Sequence, residues 1–410
     1  MNENWVKEIQ KRVKGIPISS GRGNKFGKIS FDDLVFVPAQ LAKRPVDYYR
    51  DYNPLTTSSQ PSAGPLISSK TIIGKNSKKP IELETPIIFG AMSFGALSKE
   101  AKIALAKASK LAGTIENTGE GGMLPEERDF AKRLIVQYST GRFGITEEIL
   151  KKADAIEIKI GQSAKPGQGG LLPAEKVTEE IARVRNIPMG KDVHSPAYHL
   201  DIRNIEDLKK KIEWLRGITG GVPIILKLGA SEGKDIELAI QANPDIIAID
   251  GKGGSTGAAP EVMLNEVGIP TLAVLVKARE ILDKKKARQE LWIGGGLNIG
   301  ADFAKALALG ADAVFCATSL LIAMGCTYCR LCYLGKCPVG ITTQDPELRK
   351  KLNIETASQN IANFIKNCTE EIKMIAGAGG ENDIHKLNKG RLRALNSEIA
   401  KITKIKLISE

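Results

Sequence analysis

Pro223-Ile224-Ile225-Leu226-Lys227-Leu228, an amphipathic stretch over 235–242 and Ile246-Ile247-Ala248-Ile249 follow one another in the middle of the chain. Each apolar run is short, continuous and rich in branched residues, the pattern of a strand buried on both faces, and the stretch between them repeats its apolar residues at helical spacing. Strand, helix and parallel strand in that order make one crossover unit. The same unit recurs on either side. Apolar runs at 87–90, 114–117, 155–160, 223–228, 246–249, 270–274, 291–293 and 313–316 alternate with helical stretches at 99–111, 175–185, 205–216, 235–242, 260–267, 276–283 and 301–309. Eight strands over about 235 residues predict a (β/α)8 barrel, for which roughly 250 residues are typical. An open doubly wound sheet is the alternative. Its glycine-rich dinucleotide turn belongs after the first strand, where this chain has Gly90-Ala91-Met92-Ser93-Phe94-Gly95 instead.

Outside the repeating part the chain reads differently. Residues 1–85 are irregular, with loop material at Gly21-Arg22-Gly23-Asn24 and over 54–65, and with strand-like runs at Leu34-Val35-Phe36-Val37 and Thr71-Ile72-Ile73. They are expected to form an arm packing on a barrel at 86–320. Residues 321–410 carry a cysteine-rich loop and then polar helices over 345–405.

The 410 residues are 42% apolar and 26% charged, which excludes a disordered or collagen-like chain and a disulfide scaffold. No apolar run reaches the roughly 18–20 residues of a membrane span, and Met1-Asn2-Glu3-Asn4-Trp5 lacks the pattern of a signal peptide. A cytoplasmic enzyme with no membrane contact is expected. The net charge of +12 is spread along helical stretches such as Lys209-Lys210-Lys211 and Lys284-Lys285-Lys286, and only ten Phe, seven Tyr and three Trp are available to stack on bases. Solvated helix faces explain that charge better than nucleic acid does, and attraction to an acidic protein partner is the second reading.

Chemistry in a barrel sits at the C-terminal ends of the strands. Gly251-Lys252-Gly253-Gly254-Ser255-Thr256-Gly257 follows one strand, and Gly294-Gly295-Gly296 follows the seventh. Each alone is no more than a tight loop. Together, at the place where this architecture binds phosphate, they favour a phosphate site. Lys159 and Lys227 each end an apolar run, and a lysine inside a barrel needs an anionic or electron-rich partner, such as the N1–C2=O edge of a flavin. Gln162 and Lys165 in the loop 162–170, with Arg185 on the next helix, could clamp a dicarboxylate, and Glu120 could hold an ammonium. Cys326-x2-Cys329-x2-Cys332-x4-Cys337-Pro338 gathers four of the six cysteines, with Cys316 and Cys368 apart. Triple spacing favours an iron–sulfur cluster over zinc, which prefers two separated pairs.

Met92-Ser93-Phe94-Gly95, Asn117-Thr118-Gly119-Glu120-Gly121-Gly122, Ser139-Thr140-Gly141-Arg142-Phe143-Gly144, residues 158–170 and the strings from Gly325-Cys326 through Gln344-Asp345-Pro346-Glu347-Leu348 occur in this order over about 85–350. In this they resemble the FMN-binding synthase domain of glutamate synthase, in the archaeal-type or ferredoxin-dependent family, as a stand-alone form. The resemblance implies a barrel holding FMN and an iron–sulfur cluster that converts 2-oxoglutarate and ammonia, through 2-iminoglutarate, to L-glutamate. It implies that Lys159 and Lys227 contact the flavin ring, that Met92, Ser93 and Asn117 lie against the cofactor, and that Gly254, Thr256, Gly295, Gly296 and Thr318 lie near its phosphate. It further implies that Gln162 and Arg185 bind 2-oxoglutarate, that Lys165 donates the proton and that Glu120 stands beside the substrate. Cys326, Cys332 and Cys337 match the ligands of a 3Fe–4S cluster.

The chain departs from the family pattern at several points. Met1-Asn2 stands where the full-length enzymes carry a cysteine nucleophile on a glutaminase domain, so a separate glutaminase-type partner or free ammonia is implied. Cys329 is extra and makes a 4Fe–4S cluster the alternative. Residues 1–85 contain no cysteine, and no dinucleotide fingerprint is present, which points to ferredoxin or a separate reductase as electron donor. Gly229-Ala230-Ser231-Glu232, and Gly294 in place of a usual acidic residue, also differ. Two other readings compete: a related FMN and iron–sulfur oxidoreductase on another amino or keto acid, such as an N-methylglutamate synthase-type subunit, and an electron-relay subunit. The chain is compatible with an oligomer.

Overall fold

Each apolar run keeps one face for the barrel interior and one for the surrounding helices, because side chains alternate along a strand. In the computed structural model, which describes residues 29–46, 48, 67–163, 167–229, 232–254, 256 and 259–410, this alternation is complete. The strands are β1 (Ile87–Phe89), β2 (Glu116–Asn117), β3 (Leu134–Tyr138), β4 (Ala155–Lys159), β5 (Ile224–Gly229), β6 (Ile246–Asp250), β7 (Glu290–Gly294) and β8 (Ala313–Cys316). They form one parallel sheet in that order, with β8 paired back to β1. The ring closes where the Phe89 N–H donates to the Ile115 carbonyl just before β2, at 3.2 Å. Ile88, Ile135, Ile225, Ala248, Trp292 and Phe315 cluster inside the barrel. Ile87, Val136, Ile158, Leu226, Ile249 and Val314 face outward onto the helices.

The helices that cover the sheet include α1 (Lys99–Ala112), α2 (Pro125–Phe130), α3 (Glu147–Lys151), α4 (Glu179–Arg185), α5 (Ile205–Thr219), α6 (Gly233–Ala242), α7 (Thr271–Lys285) and α8 (Gly300–Ala308). Half of these begin with a polar cap: the hydroxyls of Ser98, Thr146 and Thr178 and the amide of Asn204 each accept a hydrogen bond from a backbone N–H in the first turn. The long α9 (Ile354–Ala378) packs against α1 and α8 on the outside.

The strand count of eight holds, but two of its members differ from the sequence reading. Residues 270–274 are the entry to α7, not a strand: Pro270 leads in, and Leu272, Leu275, Val276 and Ile281 are buried at helical spacing. The strand in its place is β3, Leu134-Ile135-Val136-Gln137-Tyr138, a short run directly after Lys132 and Arg133.

The strand-like runs before the barrel are strands. Thr71–Ile73 pairs with Ile81–Leu83 as a hairpin, and Ile73, Ile81 and Leu83 join the interior cluster. Gly74 in its turn has a positive φ of 65°, and a Cβ there would collide with Pro223 at the entry to β5. Leu34–Phe36 pairs with Leu392–Ala394 near the C-terminus. The rest of the expected arm, most of 1–66, lies outside the described residues. No helix is long and apolar enough to cross a membrane among the described residues.

Glu290 opens β7 at this hairpin end of the barrel. Its Oε1 accepts the Lys75 N–H at 2.7 Å, and its Oε2 has no partner among the described residues. Burial, helped by nearby Asp312, pushes its carboxyl up to about 7. The carboxyl therefore favours the fold while protonated, and this contribution is lost as pH rises from the ordinary carboxylate range through 7. Glu290→Gln keeps the acceptor and removes the charge. It is expected to leave stability unchanged at pH 4 and to raise it by up to about 3 kcal/mol at pH 8, at 1.36 kcal/mol per pH unit. Denaturant unfolding at the two pH values checks this, and an equal effect at both would contradict it.

Candidate active site at the mouth of the barrel

The inward parity of the strands delivers polar side chains to the C-terminal mouth: Gln137 from β3, Glu157 and Lys159 from β4, Lys227 from β5 and Asp250 from β6. All but Glu157 border one of two cavities of about 320 and 260 Å3, which share Ala91, Gln162, Ala317, Thr318 and Tyr328 along their common edge. Buried charge needs partners. Gln137 Nε2 donates to Glu157 Oε1 at 2.6 Å. Lys227, only 4% exposed, stands 3.9 Å from Glu157 and 3.8 Å from Asp250, beyond direct hydrogen bonds, with its Nζ 5.2 Å above the Phe315 ring. Its ammonium borders the smaller cavity.

The larger cavity has a second charge system. Lys159 Nζ pairs with Glu120 Oε2 at 2.8 Å, both nearly buried. Behind them His199 Nε2 donates to the Lys159 carbonyl at 2.8 Å, while its Nδ1 accepts from Arg142 at 2.6 Å. Burial, with the Arg142 charge, lowers this imidazole to about 4, so it stays neutral and holds the end of β4 in place. Arg185, at the end of α4, is 4% exposed. Its Nε and Nη2 donate to the Phe94 carbonyl at 3.1 and 2.5 Å, and Nη2 reaches Ser93 Oγ at 3.3 Å. Burial lowers it to about 10, against the pull of Glu120, so it remains a cation at neutral pH.

The smaller cavity is walled by glycine backbone. Gly295 and Gly296 have φ of 105° and 79°, and a Cβ on Gly295 would collide with the Gly251 carbonyl. A Cβ on Gly254 would collide with Ser163 Oγ, whose own N–H donates to Asp250 Oδ2 at 3.3 Å. Thr271 Oγ1 at the start of α7 donates to the Gly295 carbonyl at 2.7 Å and binds the two loops together. Lys252 turns away from the cavity and donates to the Asn265 carbonyl at 2.6 Å.

Across the larger cavity stand Cys326, Cys329, Cys332 and Cys337. Tyr328 and Arg330 between them adopt φ of 61° and 59°, rare for side-chain-bearing residues, and the Tyr328 N–H donates to Cys326 Sγ at 3.4 Å. Burial opposes ionisation of Cys337, but the N–H groups of Thr342, Val339 and Ile341 and the Thr342 hydroxyl bring its thiol below the ordinary range. Burial pushes Cys332 up, with the other three thiols adding to it. Among the described residues no three of these side chains already converge as a metal site. Lys176 reaches over from the turn before α4, and its Nζ donates to the Cys332 carbonyl at 2.6 Å. Cys316 and Cys368 are buried, and burial pushes both up to about 12.

Most of the residues singled out in the sequence border one of these two cavities: Met92, Ser93, Glu120, Lys159, Gln162, Arg185, Thr256, Thr318 and the four cysteines the larger, Lys227, Gly254, Gly295 and Gly296 the smaller. Asn117 is buried beneath them, with its Oδ1 accepting the Gly119 N–H at 2.9 Å. Lys165 lies outside the described residues. Gln137, Glu157, Asp250, Phe315 and Lys176 were missed. The first four sit at inward positions of strands, a signal that was present in the pattern; Lys176 has none.

A model of the conserved region in glutamate synthase matches residues 26–382. An archaeal glutamate synthase (NADPH) of Methanocaldococcus jannaschii is 41% identical, covering 97% of this chain and 82% of that protein. A glutamate synthase large subunit-like protein of Rhizobium meliloti is 39% identical over 96% of this chain and 90% of its own. Among solved structures, an active chimera of (S)-mandelate dehydrogenase superposes with a TM-score of 0.57 at 17% identity, covering 89% of this chain and 88% of that one, a likeness of fold.

Proposed function

The chain belongs to the glutamate synthase family, and from that premise we propose that it is the synthase core, reductively aminating 2-oxoglutarate to L-glutamate by way of 2-iminoglutarate. The observation that carries this reading is the meeting, around one cavity, of Arg185, Gln162 and the Lys159–Glu120 pair on one side with four cysteines on the other. In this reading residues 86–320 are the FMN-binding barrel, 321–410 the cluster loop with its helices, and 1–85 an arm.

The residues present fit FMN. The glycine cradle of the smaller cavity has no room for a Cβ at Gly254 or Gly295, as expected where backbone must approach a phosphate. The enclosed ammonium of Lys227 has no hydrogen bond among the described residues. They also fit an iron–sulfur cluster in donor chemistry: four thiols, one of them met by backbone N–H groups. Cys326, Cys332 and Cys337 would hold a 3Fe–4S cluster, and Cys329 a fourth iron. When bound, the flavin supplies the hydride and the cluster supplies electrons.

The protein's part is binding, orientation and protons. Arg185 and Gln162 hold the dicarboxylate over the barrel mouth. Lys165 donates the proton as the imine carbon is reduced. Glu120, paired with Lys159, stands where the ammonium of the product forms. Electrons are proposed to come from ferredoxin or a separate reductase, the route by which NADPH, for which the Methanocaldococcus relative is named, would be used. Ammonia comes from solution or a glutaminase-type partner.

Protein purified without oxygen should be yellow, with stoichiometric FMN and about three or four irons. Once reduced, it should form glutamate and reoxidise its flavin on 2-oxoglutarate plus ammonium, and do neither with glutamine alone. Turnover with methylamine or another keto acid in place of these would move the assignment to a related amino-acid oxidoreductase. Protein that cannot be reconstituted with FMN would overturn it.

A further inference from the structure

Below the cavity, on the outward side of β2, Lys102 of α1, Glu116 of β2 and Glu127 of α2 meet with no solvent between them, their side chains at most 1% exposed. Lys102 Nζ stands 2.7 Å from Glu127 Oε1 and 3.1 Å from Glu116 Oε1. It also donates to the backbone carbonyls of Met92 at 2.7 Å and Asn117 at 3.2 Å. Apolar side chains of the same bulk would hold α1 to β2 at least as well, because desolvating three ionisable groups is costly. What they could not do is direct hydrogen bonds at two chosen carbonyls.

Those carbonyls belong to different loops at the mouth. Met92 lies in the loop from β1 to α1. Asn117 ends β2 and leads into Thr118-Gly119-Glu120, which carries Glu120 to Lys159. The loops touch: a Cβ on Gly119 would stand 2.7 Å from both Met92 C and Ser93 N. We propose that Lys102 is a positioning residue of the active site, its single ammonium tying the Met92 and Asn117 carbonyls together and so fixing the gap between the loop that bears Met92 and Ser93 and the loop that bears Glu120. Its bearing on catalysis rests on reading this cavity as the flavin and substrate site.

The proton inventory supports the assignment. An ammonium has three N–H groups, and this one faces four oxygens. Burial pushes the Glu116 carboxyl well above the usual carboxylate range, and the neighbouring Glu127 adds to this against the pull of Lys102. Neither Glu116 oxygen nor Glu127 Oε1 has a hydrogen bond among the described residues. The hydrogen bonds of the ammonium run to the Met92 and Asn117 carbonyls, and the two carboxyl groups beside it make close ion-pair contacts. Glu127 Oε2 in turn accepts the Leu124 N–H at 3.3 Å and ties the triad to the start of α2.

Hydrogen exchange read by mass spectrometry on the full chain tests this without any cofactor. The triple variant Lys102→Met, Glu116→Gln, Glu127→Gln removes the charges and keeps the bulk. Its amides over 92–97 and 118–122 should exchange at least about tenfold faster than wild type while those of β4 to β7 stay protected, since only the local tie is lost. Lys102→Gln should give the same local rise, and is the variant to read if the triple does not fold. Glu116→Gln, which leaves Lys102 and both carbonyls in place, should exchange like wild type. Wild-type exchange at both loops in the first two variants, or a rise in Glu116→Gln equal to theirs, would overturn the proposal. In the reconstituted enzyme the triple variant should lose at least about tenfold in kcat with a smaller change in KM, because the gap matters most in the transition state. Unchanged kcat in a folded variant whose loops exchange freely would confine Lys102 to a structural role. Failure of the wild type to bind FMN would count against the functional reading alone and leave the exchange result standing.

Discussion

Arg185→Ala should raise the apparent KM for 2-oxoglutarate by about thirtyfold or more, from the roughly 2–5 kcal/mol that losing a buried charged partner costs. The guanidinium is well placed for this. Its Nε and Nη2 are taken by the Phe94 carbonyl and Ser93 Oγ, whereas Nη1 has no hydrogen bond among the described residues. Part of the group is thus clamped to the β1–α1 loop and the rest is left to meet a carboxylate, an arrangement that fixes direction before the substrate arrives. Arg185→Lys keeps the charge but cannot make the fork, and should fall between wild type and alanine. Because burial brings Arg185 down to about 10, the wild-type KM should hold steady across neutral pH and climb as pH approaches 10. Steady-state kinetics on flavin-loaded enzyme check each statement. A wild-type KM in the alanine variant would place the substrate's carboxylates elsewhere in the cavity.

The barrel was legible because buried parallel strands are apolar on both faces and stand out against amphipathic helices. The two displaced runs show the limit of that signal. Residues 270–274 look like a strand because α7 is buried along much of its length, with Leu272, Val274, Leu275 and Val276 all enclosed. β3 was passed over because Gln137 interrupts its apolar run, although Gln137 is inward-facing and bonded to Glu157. Lys159 and Lys227 stand out in the sequence because each ends an apolar run, and the inward parity they share applies equally to Gln137, Glu157 and Asp250. A polar residue at an inward position inside an apolar strand carries the same signal as one at a strand end. Lys102 and Lys176 could not be found this way. Lys102 sits inside an alanine-rich helix, and Lys176 meets a carbonyl 156 residues further along the chain. Partners that only the folded chain brings together leave no spacing to read.

Gly254→Ala and Gly295→Ala should both lower FMN affinity by about a hundredfold or more, and only the second should also lower the stability of the apoprotein. The difference lies in what each new methyl group meets. At Gly254 the obstacle is Ser163 Oγ, the end of a side chain that can rotate away, and the backbone lies outside the left-handed region. The protein can absorb the methyl, but the wall of the smaller cavity advances into the space proposed for the phosphate. At Gly295 the obstacle is the Gly251 carbonyl, which is backbone, and φ of 105° is itself unfavourable for alanine. Moving Gly251 disturbs the strand-end bond in which its N–H donates to the Gly294 carbonyl at 2.9 Å, so β6 and β7 are strained together. Backbone strain of this kind costs about 1–3 kcal/mol before the collision is counted. Thermal unfolding of the apoproteins and flavin titration separate the two effects. A Gly254→Ala protein that melts like wild type and still binds FMN normally would show that backbone approach at this loop is not what holds the phosphate, and the cradle would have to be sought elsewhere along the mouth.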